Sequence, residues 1–305
     1  MKRTRPWLLL ISKMKASLRR NGFAWLLLLP SLLFLLLFTF YPILLTLRLS
    51  LFQADLSAPE PVFTGLDNYR TMFQDEVFHK VMSNNVLFAL GTVPLGIALA
   101  LLMAVFANKA LHGRGFMRSA FFYPTLIPMI AVANIWLFIY TPEYGFMSRV
   151  LSWFGVNDIN WLGTPGLVMW AMILMIIWKE AGFFMIFYLA GLQNISKELY
   201  EAAHVDGVSR FTVFRRITFP LLMPTTLFVS IVALTNAYKL VDHLMIMTRG
   251  GPNNSSNLLL YYIYETAFSF WDQGMASALT VVMIAVLLLI AAVQFFGLDR
   301  RIHYN

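Results

Sequence analysis

Tyr200–Pro224 reads YEAAHVDGVSRFTVFRRITFPLLMP, a polar and basic island between two long apolar segments. Lys197–Val205 has helix-forming composition, with Glu198 and Glu201 near its start, where carboxylates suit the positive end of a helix dipole. Gly207 falls where such a helix stops, because a left-handed residue after the last turn costs glycine least. Ser209 is placed to cap a second short helix by accepting a bond from a free backbone N–H. Arg210, Arg215 and Arg216 then precede Ile217, and Pro220 suits the first turn of the next helix. The stretch therefore predicts two short helices joined by a sharp turn and held against a membrane. Such an element suits docking to another protein. An ordinary cytoplasmic loop with a basic flank has the same composition.

The flanks of the island need lipid as solvent. Of the 305 residues, 59% are hydrophobic and 12% charged, where soluble domains carry about 25% charged residues. The six segments long enough to span a bilayer are Phe23–Leu47, Val81–Asn108, Ser119–Pro142, Asn160–Leu192, Ile217–Tyr238 and Gln273–Leu298. Helices satisfy their own backbone in lipid, and the alternating pattern of an outer-membrane barrel is absent. The expectation is an all-α membrane protein with six transmembrane helices. The first apolar run is too long for a signal peptide and has no small-residue cleavage site after it, so it reads as a retained helix. With no cysteine in the chain, disulfides, thiolate metal sites and cysteine catalysis are excluded.

The net charge of +8 is distributed as an orientation signal rather than as a nucleic-acid surface. Sixteen Lys and Arg fall on the side of the amino terminus, the loop after the second helix, the island and the tail. Six fall on the other side, and Lys179 lies within a span. The bias predicts that both termini and the island are cytoplasmic.

Three further patterns add a family resemblance. Glu201-Ala202-Ala203, Asp206-Gly207, Ile217 and Pro220 resemble the EAA loop of ABC-importer permeases, and more closely its carbohydrate-uptake branch of maltose and glycerol-phosphate permeases, with Val208 in place of the usual Ala. Thr64–Phe78, TGLDNYRTMFQDEVF, resembles the segment that precedes the second helix in sugar-importer permeases. Thr248–Ser256, TRGGPNNSS, resembles the turn that trails their fifth helix. The resemblance covers most of the chain and implies the ABC type I importer permease fold. It divides the chain into a cytoplasmic basic segment 1–22, a six-helix domain 23–298 with a coupling loop 193–219, and a cytoplasmic tail 299–305.

The resemblance also implies roles and partners. Glu201, Ala202, Ala203, Asp206, Gly207 and Arg210 would couple to an ATPase, with Glu201 bracing the short helices through charge-assisted bonds and apolar island residues filling the ATPase groove. The implied partners are a second permease in a heterodimer, two ABC ATPase subunits that bind ATP and Mg, and an extracytoplasmic solute-binding protein. The setting is the bacterial inner membrane, the cargo a sugar or sugar-like solute, and the chain itself is not an enzyme. The external loop Ser50–Lys80 is short, so its contact with a binding protein would be modest.

Solute is sought at the fifth segment. Asn236, Lys239 and His243 are spaced to share one helical face, and Tyr238 and Asp242 are i, i+4 neighbours on an adjoining one. A helix ending in water carries the same residue types. Lys179 and Glu180 fall within the fourth span and point about 100° apart. Many relatives have W-[KR] followed by a run ending AGLQ, as in Trp178-Lys179 and Ala190–Gln193, which favours packing or subunit contact over solute binding. The prolines and glycines of the second and third spans read as structural. Trp153 and Trp161 are expected at the membrane interface, as are the aromatics of Tyr261–Trp271.

Absences narrow the reading. No GxxxxGK[ST] loop is present, so ATP would be hydrolysed by a partner. His79, His112, His204, His243 and His303 are scattered without metal-ligand spacing. A membrane enzyme would need a clustered site, and an ion-coupled secondary transporter or channel would need mid-membrane carboxylates, of which Glu180 is the candidate.

Overall fold

Five helices of the computed structural model are long and apolar enough to cross a membrane, and a bent helix pair supplies a sixth span. The structure describes residues 22–55, 60–109, 113–157 and 159–298. The expectations for the amino-terminal basic segment up to residue 21 and for the tail 299–305 lie outside the described residues.

The first span runs from α1 (Gly22–Leu35) through a π-helical turn at Leu36–Phe40 into α2 (Tyr41–Leu49). Its most apolar window buries none of itself inside the chain, so this helix presents its side chains to lipid or to a partner. A two-stranded antiparallel hairpin follows, β1 (Phe52–Gln53) with β2 (Val62–Phe63), a small departure from an all-helical chain. Asn68 Nδ2 holds it by donating to the Ser50 and Phe52 carbonyls, both at 2.9 Å, while the Tyr69 hydroxyl donates to Ser50 Oγ at 2.8 Å. Asn68 and Tyr69 thus tie the loop between the first two spans to the end of the first span.

After α3 (Asp67–Gln74), Asp75 starts α4 (Glu76–Asn108) by accepting from the Val77 N–H at 2.9 Å. The helix therefore begins five residues before its apolar run. Ala89, Val93, Gly96, Ala100, Ala104 and Ala107 recur at three- and four-residue steps along α4, and all are buried. Small side chains let helices approach closely in lipid, where apolar burial alone gives no preference. This stripe faces α8 (Pro165–Gln193), which supplies Val168, Met172, Met175 and Ile176, and the two helices form the centre of the bundle.

The third span is broken. α5 (Arg114–Leu126) and α6 (Met129–Ile139) meet at 97°. Pro128 cannot donate a backbone bond and keeps Ile127 extended, at ψ 130°. The short α7 (Phe146–Ser152) follows. Trp153 is exposed as expected, but Trp161 packs on Tyr140, ring centroids 5.7 Å apart, and belongs with the core.

The fifth span also differs from a single rod starting at Ile217. The chain leaves the island through α9 (Lys197–Val205), α10 (Arg210–Val213), a π-helical turn at Phe214–Thr218 and α11 (Phe219–Leu221). It then enters α12 (Met223–Lys239) and breaks again before α13 (Asp242–Met247). α14 (Leu259–Phe268) and α15 (Gln273–Leu298) complete the bundle. The turn 248–257 is fastened to α4 by Asn84 Nδ2, which donates to the Asn254 and Asn257 carbonyls at 2.7 and 2.9 Å.

Candidate functional site

The island forms as its sequence predicts. Ser196 Oγ accepts from the Glu198 N–H at 3.2 Å and opens α9 at Lys197. At the other end the Val208 N–H bonds the Ala203 carbonyl at 3.0 Å and the Gly207 N–H bonds the His204 carbonyl at 3.1 Å. These are the two bonds of a Schellman stop, with Gly207 left-handed at φ +69°. Ser209 Oγ then accepts from the Thr212 N–H at 3.3 Å and caps α10. The sharp turn between the short helices is therefore fixed by two backbone bonds on one side and a side-chain cap on the other.

Ala203 is buried under the turn, whereas Glu201, Ala202, Asp206, Gly207 and Arg210 are exposed. The structure brings the six coupling candidates onto one small element but does not give Glu201 a bracing role. Among the described residues its carboxylate makes no hydrogen bond or ion pair. A side-chain brace comes instead from the Tyr200 hydroxyl, 3.2 Å from Thr218 Oγ1, which links α9 to the π-helical turn. The apolar tip of the island faces out, with Val205 86% and Phe211 73% exposed. Behind it an open groove of about 340 Å³ separates Tyr200, His204 and Phe214 from Val105 and Leu192 of the bundle.

Within the membrane the polar residues separate into two jobs. Lys179 is 6% exposed, and its Nζ donates to the carbonyls of Pro124 (3.0 Å) and Thr125 (2.6 Å). The Ile127 N–H bonds the Pro124 carbonyl at 3.3 Å, Pro128 has no N–H to continue the ladder, and the lysine clasps the end of α5. Thr125 Oγ1 returns a bond to the Lys179 carbonyl at 3.2 Å. Close approach helps, since a Cβ on Gly182 would collide with the Phe121 carbonyl. Glu180, on the next face of α8, accepts from Asn236 Nδ2 of α12 at 3.2 Å. The pair lines a crevice between α4, α8 and α12 of about 20 Å³, the size of about one water molecule.

The fifth-span candidates do not share one face. α12 ends at Lys239, and Leu240 is extended at ψ 114°. No Pro or Gly marks this break. It turns α13 onto α6 and buries His243 completely, its ring stacked on Phe88 with centroids 5.9 Å apart. Tyr238 is buried, while Lys239 and Asp242 face out, so Tyr238 and Asp242 are not face neighbours. Asn236 alone of the five reaches the crevice with a polar contact among the described residues. Its partner Glu180 is the residue that the sequence reading assigned to packing or subunit contact. A carboxylate in one span and an amide in the next was the available signal.

Residues 92–304 match the family described as binding-protein-dependent transport system inner membrane component. The chain is 36% identical over 271 residues to the sulfoquinovosyl glycerol transport system permease protein of Agrobacterium fabrum, covering 88% of each chain. It is 33% identical over 279 residues to the trehalose/maltose transport system permease protein of Thermococcus litoralis, covering 92% of this chain and 94% of that one. Among solved structures it resembles a chain of a bacterial alginate ABC transporter in complex with alginate pentasaccharide-bound periplasmic protein. There the TM-score is 0.81 and the identity 24%, over 93% of this chain and 96% of that one. That likeness shows the shared fold.

Proposed function

The chain belongs to the family of binding-protein-dependent transport system inner membrane components, and from that premise we propose that it is one of two permeases in an ATP-driven importer for a sugar or sugar-like solute. The observation that carries the coupling half of this reading is the island. It is a rigid, backbone-fastened turn with two large apolar side chains, Val205 and Phe211, held out from the bundle. Exposed apolar anchors of this kind gain most when they fill a partner's pocket. The partner is an ABC ATPase subunit, which supplies the ATP and Mg sites that this chain lacks a motif for. Glu201, Asp206 and Arg210 form the polar rim of that contact.

The solute half rests on the Glu180–Asn236 pair. Both groups point into a crevice between three spans and can exchange their mutual bond for bonds to hydroxyls. At about 20 Å³ the crevice is closed to a sugar, since ligand pockets run from about 300 Å³ upward. Admission of solute requires α12 to move from α8. The proposed cycle is alternating access: closure of the ATPase pair moves the island, and the attached spans open the crevice toward a solute-binding protein outside. Trehalose/maltose and sulfoquinovosyl glycerol, the solutes named for two relatives, support a glycoside cargo.

Co-purification tests the coupling contact. Val205→Asp with Phe211→Asp should lose the ATPase subunits while the permease remains inserted at wild-type level. Undiminished recovery of ATPase with the double variant would remove the island from that interface.

A further inference from the structure

A second cleft, of about 500 Å³, opens at the same end of the bundle as the island. It lies where the end of α4, the start of α5, the end of α8 and the start of α9 meet. Arg114, Arg118 and Lys197 line it, with Asn108, Gln193 and Tyr200 between them, and no acidic side chain does. Arg114 and Arg118 are four residues apart on α5 and so share a face. Arg118 gives Nε and Nη2 to the Ala107 carbonyl, at 3.1 and 2.9 Å, which fixes its guanidinium at the cleft wall. Arg114 and Lys197 are exposed.

The surroundings are those of a membrane–water boundary. Phe116 projects from the opposite side of the same turn of α5 and is 83% exposed. Phe106 and Leu102 are exposed on the last turns of α4, and Lys109 Nζ sits over the Phe106 ring at 4.6 Å. Basic pockets between spans, beside aromatic anchors, suit acidic head groups. We propose that this cleft binds the head group of an anionic phospholipid. Its phosphate is held by Arg114, Arg118 and Lys197, and its acyl chains lie against the apolar flanks of α4 and α5. Because the cleft contacts α9 through Lys197 and Tyr200, the bound lipid braces the root of the island. The inference depends on membrane insertion and not on the identity of the transported solute.

Native mass spectrometry of the purified complex with its ATPase subunits in detergent, supplied with equal phosphatidylglycerol and phosphatidylcholine, tests it. The wild type should retain phosphatidylglycerol selectively. Arg114→Gln with Lys197→Gln should lower that retention about thirtyfold, at roughly tenfold or less per lost cation. Arg114→Lys with Lys197→Arg should keep it, which separates lost charge from lost fold. Inorganic phosphate at millimolar concentration should not displace the lipid, and displacement would overturn the lipid assignment in favour of a free-phosphate site. Equal retention by wild type and the double glutamine variant would overturn the proposal. So would loss of ATPase subunits from that variant with its lipid unchanged.

Discussion

Gly207 has open space around its missing side chain and a backbone at φ +69°, so a larger residue there is opposed by strain alone. A β-carbon in the left-handed region costs about 1–2 kcal/mol. Gly207→Leu should leave the chain inserted but loosen the turn between α9 and α10, raising the ATP hydrolysed per solute carried. A wild-type ratio would show that the turn need not be rigid. Lys179 offers the opposite case, a charge whose value lies in its partners. Lys179→Met would remove the lysine bond to the Thr125 carbonyl, at about 1–3 kcal/mol, while the Pro124 carbonyl keeps the Ile127 N–H. Its thermal unfolding midpoint in detergent should fall, with Lys179→Arg recovering part of the loss. An unchanged midpoint would mean that the Thr125 carbonyl finds another donor. Local chemistry explains what the sequence reveals at this scale. Ser209 and Gly207 act on neighbours a few residues away, so their roles were legible. The clasp of Lys179 on α5 and the burial of His243 against Phe88 depend on residues roughly fifty to 150 positions away, and no local pattern encodes them.

At the scale of elements, long apolar runs identified the spans because lipid imposes length and polarity directly. Their interruptions were less legible. Pro128 announces the break between α5 and α6, but nothing in composition announces the one between α12 and α13, which tertiary packing imposes. The end of the bundle opposite the island is stitched by Asp75, which caps α4 with one carboxylate oxygen and accepts from the Tyr262 hydroxyl of α14 at 2.6 Å with the other. Burial first, and the Asp75 bond second, push the Tyr262 phenol above its ordinary range. The folded chain thus holds this proton more tightly than the unfolded chain does. The contribution is complete below the ordinary phenol value of about 10 and is lost as pH rises through the higher folded value. Stability should therefore decline in alkali above about pH 10, and Tyr262→Phe should be less stable at neutral pH with a shallower alkaline decline. Parallel pH profiles for the two chains would show that the bond contributes nothing.

For the whole molecule, α4 and α8 form a central seam on which α5 and α12 pack, and the two ends differ in character. One end carries the stitched loops around Asn68, Asp75 and Asn84. The other carries the island and the basic cleft. Between them the Glu180–Asn236 crevice is shut. Family and architecture were legible from three short motifs and six apolar runs. The Glu180–Asn236 pair was only half legible, because Asn236 was visible at a helix end while Glu180 looked like packing beside Lys179. The direct test is solute uptake into proteoliposomes holding the purified complex and its binding protein, across a panel of labelled glycosides. The account predicts uptake of a glycoside that requires both ATP and the binding protein and is lost in Val205→Asp/Phe211→Asp. Uptake that follows an ion gradient without nucleotide would contradict it.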